Sequence, residues 1–234
     1  MFTAAVLPSA ARDVARFLLE LGHKRIAYIS PYHKAHWSHV RLQGIVDIYK
    51  SAGLAEGVVP VTFTQPPRFF RSNARIKANL DALLSFHESW SKGMPREYRR
   101  VLDPIITDMI PNRSLYLAEL YYFLRTLFKK ALTDTEITAW ICANDQVAVA
   151  AYDYCRERGI DIPGKLSIVG FDDSYEALEK GITSYNFNIR GIMNAMIGYI
   201  LNTRSYPGTY QRRPIEIEGM IVQRRTSGRA DKTA

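Results

Sequence analysis

Cysteine is nearly missing from this sequence: two residues in 234, Cys142 and Cys155. That excludes a disulfide framework or a cysteine-built zinc site and suits a reducing compartment, where both thiols serve as small buried hydrophobes. Long apolar runs are missing as well, so no membrane span is expected. The opening MFTAAVLPSAARDVARF has no basic segment ahead of an apolar core. It does not read as a secretory signal, and a cytoplasmic location is expected. The motifs of common chemistries are absent too: no nucleophile elbow, no phosphate-cradling glycine loop, no paired catalytic carboxylates with a supporting partner. The expectation is therefore no enzyme and no cofactor. The chain carries a net charge of +8, yet it shows no helix-turn-helix or basic arm to focus that charge on DNA. A solvated basic surface is the simpler reading. No internal repeat is visible.

What is present is an alternation of short apolar runs and helical spacings, with 47% hydrophobic residues, as in a globular α/β chain built on a parallel sheet flanked by helices. Its centre is the stretch ICANDQVAVAAYDYCRERGIDIPGKLSIVGFDDS, residues 141–174. Residues 140–142 read as a strand buried on both faces. Asn144 or Asp145 can cap the next helix, Ala148, Ala151 and Cys155 give it an apolar face, and Gly159 is placed to stop it. Residues 166–169 form the next strand, ended by Gly170-Phe171-Asp172-Asp173. In a parallel βαβ unit both strand ends lie on one edge of the sheet, so Asn144 and Asp172 are expected together where open α/β sheets bind ligands.

This stretch closely resembles the C-terminal subdomain of the LacI/GalR (lactose-repressor/galactose-repressor) regulators, whose sensor has the type I periplasmic-binding-protein fold. Further matches in family order are LLELGHKRIAYIS, VRLQGIVDIYKSAGL, GITSYNFN and IVQRRTS. The resemblance implies a sensor that closes two lobes on a small effector, often a sugar, and works as a dimer. Operator DNA would be contacted only through an N-terminal head. The family has several elements ahead of the first strand found here. On the resemblance, residues 1–21 are a remnant of the N-terminal lobe, 22–187 a nearly whole C-terminal lobe, 188–218 a return to the first lobe, and 219–234 the last strand and a tail. The chain is then expected to be truncated at its N-terminus, with an incomplete N-terminal lobe.

Within that frame, Ser9 is expected to cap a helix over 9–21, with Val14, Phe17, Leu18 and Leu21 on one face. Residues 25–30, 58–64, 182–187, 214–217 and 220–223 read as strands; 40–51, 175–180 and 191–201 read as helices. Residues 68–113 read as a helical insertion, and Thr226 onward as a polar tail. The helices at 9–21 and 191–201 and the strand at 214–217 are expected to expose apolar faces that have lost their sheet.

The family's ligand arginine sits in an RxxG element, matched by Arg41 and Gly44. Its guanidinium offers a rigid fork of donors. Trp37 in the same loop, and Phe187 at a position where the family crosses between lobes, could stack on a sugar ring or serve as core. The expected ligand set is Arg41, Asn144, Asp172, Trp37 and Phe187. His33, His36 and His39 form an HxxHxxH run. With no Cys or acid near it in sequence, hydrogen bonding at a cleft rim or the surface is expected rather than metal binding. The alternatives are a stand-alone solute-binding protein of the same fold and, third, a metal-dependent enzyme built on those histidines.

Overall fold

The computed structural model describes residues 7–32, 35–63, 124–201 and 217–230. Apart from 124–126, these belong to one unit made of residues 1–64 and 127–234. In chain order the elements are α1 (Leu7–Glu20), β1 (Ile26–Ser30), α2 (His36–Ser51) and β2 (Val58–Thr62). A helical segment at 124–131, α3, comes next. Then follow β3 (Ala139–Cys142), α4 (Asp145–Arg156), β4 (Ser167–Phe171), α5 (Tyr175–Lys180), β5 (Thr183–Asn186), α6 (Ile189–Leu201) and β6 (Met220–Val222). The expected insertion at 68–113 lies outside the described residues. So do residues 214–216 of the expected strand at 214–217, and Ile217 is not in a strand. No helix among the described residues is long and apolar enough to cross a membrane.

The six strands form one sheet in the order β2-β1-β3-β4-β5-β6. Every pair is parallel except β5–β6. The register aligns Tyr28 with Ile141 and Ile141 with Val169, so these side chains share one face. They pack with Ala10, Val14 and Leu18 of α1 and Ile45 and Tyr49 of α2. The alternate residues face the other way: Trp140 stacks on Phe128 of α3 at 5.6 Å, and Phe128 meets Tyr154 of α4 at 5.2 Å. Burial on both sides explains why β1, β3 and β4 are apolar without alternation.

Three expectations need correction here. Ser9 does not cap α1, because the helix starts at Leu7. Nor is the face of α1 uncovered: Ala10, Ala11, Val14, Ala15 and Leu18 are fully buried against the sheet. The supposed polar tail is also part of the fold. Thr226 is completely buried; its hydroxyl donates to Ile168 O and accepts from Thr183 N, stitching β4 to β5 below the sheet. Ser227 and Thr183 share a further hydroxyl contact at 2.8 Å. At the same end, buried His23 meets Gly228 O through Nε2 at 3.0 Å and Thr138 Oγ1 through Nδ1 at 2.8 Å. A carbonyl can only accept, so the ring proton sits on Nε2 and Thr138 donates to Nδ1. Burial lowers the His23 pKa and keeps the ring neutral.

Candidate functional site

β1, β3, β4 and β5 run in parallel, so the segments that follow them gather on a single edge. The β1–α2 segment is fixed by buried hydroxyls. Ser38 Oγ contacts Tyr28 OH at 2.9 Å and Ser30 Oγ at 2.7 Å, and Ser30 Oγ accepts from Tyr32 N. A serine in the first turn of α2 thus ties that turn to the strand below it. α2 begins at His36, four residues earlier than the spacing predicts, so Arg41 lies in its second turn rather than at its start. His36 and His39 are exposed on this helix, and His33 is outside the described residues.

Arg41 points inward and is only 5% exposed. Its guanidinium is surrounded by the rings of Phe171, Trp37 and Phe187, at 4.4, 4.8 and 5.2 Å from their centroids. Aromatic faces attract a cation and replace part of its lost hydration. Nη1 donates to Ala143 O, Nη2 lies 3.9 Å from Asp172 Oδ1, and Nε is buried with no partner. Burial lowers the Arg41 pKa, against the pull of Asp172, while burial raises that of Asp172, against the pull of Arg41. At 3.9 Å the two attract without a hydrogen bond, which leaves donor and acceptor capacity on both.

Asn144 closes the β3 side. Its Oδ1 accepts from Val147 N at 3.1 Å, the capping bond of α4, and its Nδ2 donates to Tyr32 OH at 3.4 Å. Tyr32 in turn packs against Trp37 at 5.1 Å. The structure therefore brings Arg41, Asn144, Asp172, Trp37 and Phe187 to one edge. The five are held there by Tyr32, Phe171 and Asp145, to which sequence reasoning gave no place in the site. Tyr32 lies two residues past the end of β1 and Phe171 ends β4; these strand-end positions were the available signal.

Asp145 is the keystone of the β4 side. It is buried, with Oδ2 accepting from Ser174 N and Oδ1 from Ser184 Oγ, both at 2.7 Å. Burial pushes its carboxyl up to about 6, against the downward pull of those two hydrogen bonds. Its approach to β4 explains Gly170, where a Cβ would collide with Oδ1. Asp173 is bound by Arg224 Nη2 at 2.5 Å and Asn186 Nδ2 at 2.7 Å. Asp172 and Asp173 both have positive φ, 107° and 51°. This backbone turn, costly for a side-chain-bearing residue, sends the two carboxylates to different partners. A cavity of about 400 Å³ lies at the other end of the strands, lined by His23, Thr138, Asp161 and Lys165.

A family model described as a periplasmic-binding-protein-like domain matches residues 110–227. An HTH-type transcriptional regulator of Mycolicibacterium smegmatis is 28% identical over 180 residues, which is 75% of this chain and 40% of that protein. A LacI transcriptional regulator from a Rhodococcus species superposes with a TM-score of 0.56 at 20% identity, covering 96% of this chain and 63% of that one. A periplasmic binding protein/LacI transcriptional regulator from Alkaliphilus metalliredigens, complexed with D-xylulofuranose, gives 0.55 at 15% identity, covering 97% and 65%. These relatives are regulators rather than enzymes, and this chain spans less than two thirds of their length.

Proposed function

Because this chain belongs to the periplasmic-binding-protein-like family, as an effector domain of the LacI/GalR regulators, we propose that its edge site binds a small polar effector, sugar-like in chemistry. The observation that carries this reading is the convergence of Arg41, Asn144 and Asp172 among aromatic rings. A cationic donor, an amide and an anionic acceptor can satisfy a ring of hydroxyls, while Trp37 offers an aromatic face to its apolar side. The sugar complex of the Alkaliphilus relative supports the same ligand class.

The proposed mechanism is closure on the effector within a homodimeric cytoplasmic regulator that reads operator DNA through a separate head. The effector shifts the equilibrium only by its differential affinity for the open and closed arrangements. The test is calorimetric titration and thermal shift with neutral mono- and disaccharides, beside Arg41→Ala and Asp172→Ala. We expect at least one sugar to bind and each substitution to weaken it tenfold or more, about 1.4 kcal/mol. No response to any sugar, or unchanged affinity in both folded variants, would sink the reading.

A further inference from the structure

The cavity at the end of the strands remote from Arg41 has a volume of about 400 Å³. That lies within the ~300–1,000 Å³ of small-molecule sites. Four separate segments wall it: His23 precedes β1, Ile137 and Thr138 precede β3, Asp161 and Lys165 precede β4, and Ala230 follows β6. These walls are fixed in advance. Ala230 N donates to Leu21 O at 2.8 Å, and the His23 ring bridges Gly228 O and Thr138 Oγ1. Lys165 N and Leu166 N both donate to Asp161 O, at 3.1 and 3.2 Å, which closes a turn with Asp161 and Lys165 at its ends. Gly164 makes room in that turn, since a Cβ there would fall on the Asp161 carboxylate.

Asp161 and Lys165 are the charged residues among the described lining, and both are exposed. Neither side chain makes a hydrogen bond or ion pair among the described residues, so the two opposite charges share one cavity without pairing. The His23 ring is neutral and bonded through both nitrogens, so it competes with neither. We propose that this cavity is a second ligand site, taking a small zwitterion with adjacent ammonium and carboxylate groups: a free α-amino acid. Asp161 holds the ammonium and Lys165 the carboxylate, through charge-assisted hydrogen bonds, which are the strong ones. Thr138 Oγ1 gives its proton to His23 Nδ1 and keeps lone pairs that accept a second ammonium N–H. Ile137 and Ala230 offer apolar contact to a short side chain. A simple anion or a simple amine matches one of the two charges and leaves the other unanswered. This site is independent of the sugar reading at the opposite edge.

The experiment is calorimetric titration and thermal shift of the whole chain with the common α-amino acids, one at a time. At least one should bind and raise the Tm, and its titration should shift the His23 ring resonances. Its N-acetyl derivative, which lacks the ammonium, and its amide, which lacks the carboxylate, should each bind at least tenfold more weakly. Asp161→Asn and Lys165→Met should each weaken the free amino acid to the same degree. Both positions are exposed, so the unliganded variants should keep the wild-type circular dichroism and Tm. Should a variant fail to fold, the two blocked derivatives on the wild type still decide. No response to any amino acid overturns the proposal. So does unchanged affinity for either blocked derivative, or in either folded variant. Affinity lost in Arg41→Ala but kept in Lys165→Met overturns it as well, because the ligand then sits at the other edge.

Discussion

The C-terminal edge of the sheet has two halves built on opposite terms. On the β1 side, Arg41 and Asp172 face each other across 3.9 Å, with the Asp172 side chain 49% exposed. On the β5–β6 side, Asp173 and Arg224 meet at 2.5 Å, each side chain 14% exposed. The second pair is braced from all around. Asn186 donates to the same carboxylate, Ser184 accepts the Asp173 N–H, and Arg224 also donates to Ile182 O. The first pair keeps unused capacity. Adjacent residues of one turn therefore serve different ends: Asp173 locks the strand ends together, and Asp172 remains available at the mouth of the site.

That contrast is broken most directly at Asp173. Replacing it with Ala leaves the Arg224 guanidinium mostly buried without its carboxylate and Asn186 without its acceptor. Removing one member of a buried, hydrogen-bonded pair costs about 3 kcal/mol. Urea unfolding of Asp173→Ala should show a loss of that order. A loss under about 0.5 kcal/mol, as is usual for surface pairs, would erase the distinction between the two halves.

Asp145 sharpens the comparison through pH. Its carboxyl, raised to about 6, holds its proton more tightly in the folded chain than in the unfolded one, where the value is near 3.9. Stability from this group is therefore fully present below about pH 4 and is lost as pH rises through about 6. Between pH 5 and pH 7 the loss is about 1 kcal/mol. Asp145→Asn cannot titrate, so its unfolding free energy should lack this component, whatever its absolute stability. Parallel pH profiles for the two proteins would show that Asp145 does not titrate in that window.

Much of this was legible in the sequence because the signals were local. Asn144 capping α4 follows from one residue's chemistry. The parallel order of β1, β3 and β4 then carried Arg41, Asn144 and Asp172 to one edge. What stayed hidden depended on partners distant in the chain. α1 and α6 both read as apolar-faced helices without a sheet. Only α1 found cover: Ala10, Ala11 and Ala15 lie in the buried cluster it shares with α2 and the sheet, with α2 as its principal neighbour. The burial of Thr226, 58 residues from Ile168, has no local sign either, because a threonine after two arginines looks like surface. The same holds for Asp145. Its pairing with Ser174 and Ser184 depends on the fold bringing β4 and β5 beside α4.

The smallest expected effect falls on Asp172 and has the opposite sign from that at its neighbour. Its φ of 107° is a conformation glycine adopts freely and an aspartate does not. Holding it there costs about 1–3 kcal/mol. Its compensation within the folded chain is slight: an ion pair at 3.9 Å, half open to solvent, with no hydrogen bond. Asp172→Gly should relieve the strain at an entropic cost of about 0.5–1 kcal/mol in the unfolded chain. The net result should be unchanged or slightly raised stability, up to about 1 kcal/mol, while sugar binding falls. Arg41 would keep its bond to Ala143 O and its aromatic neighbours, so it would not be left stranded. Stability gained with affinity lost is the pattern of a residue kept for its ligand. If Asp172→Gly instead destabilises the chain as much as Asp173→Ala, the two halves of the edge are one structural unit, and the open pair is not held in reserve for an effector.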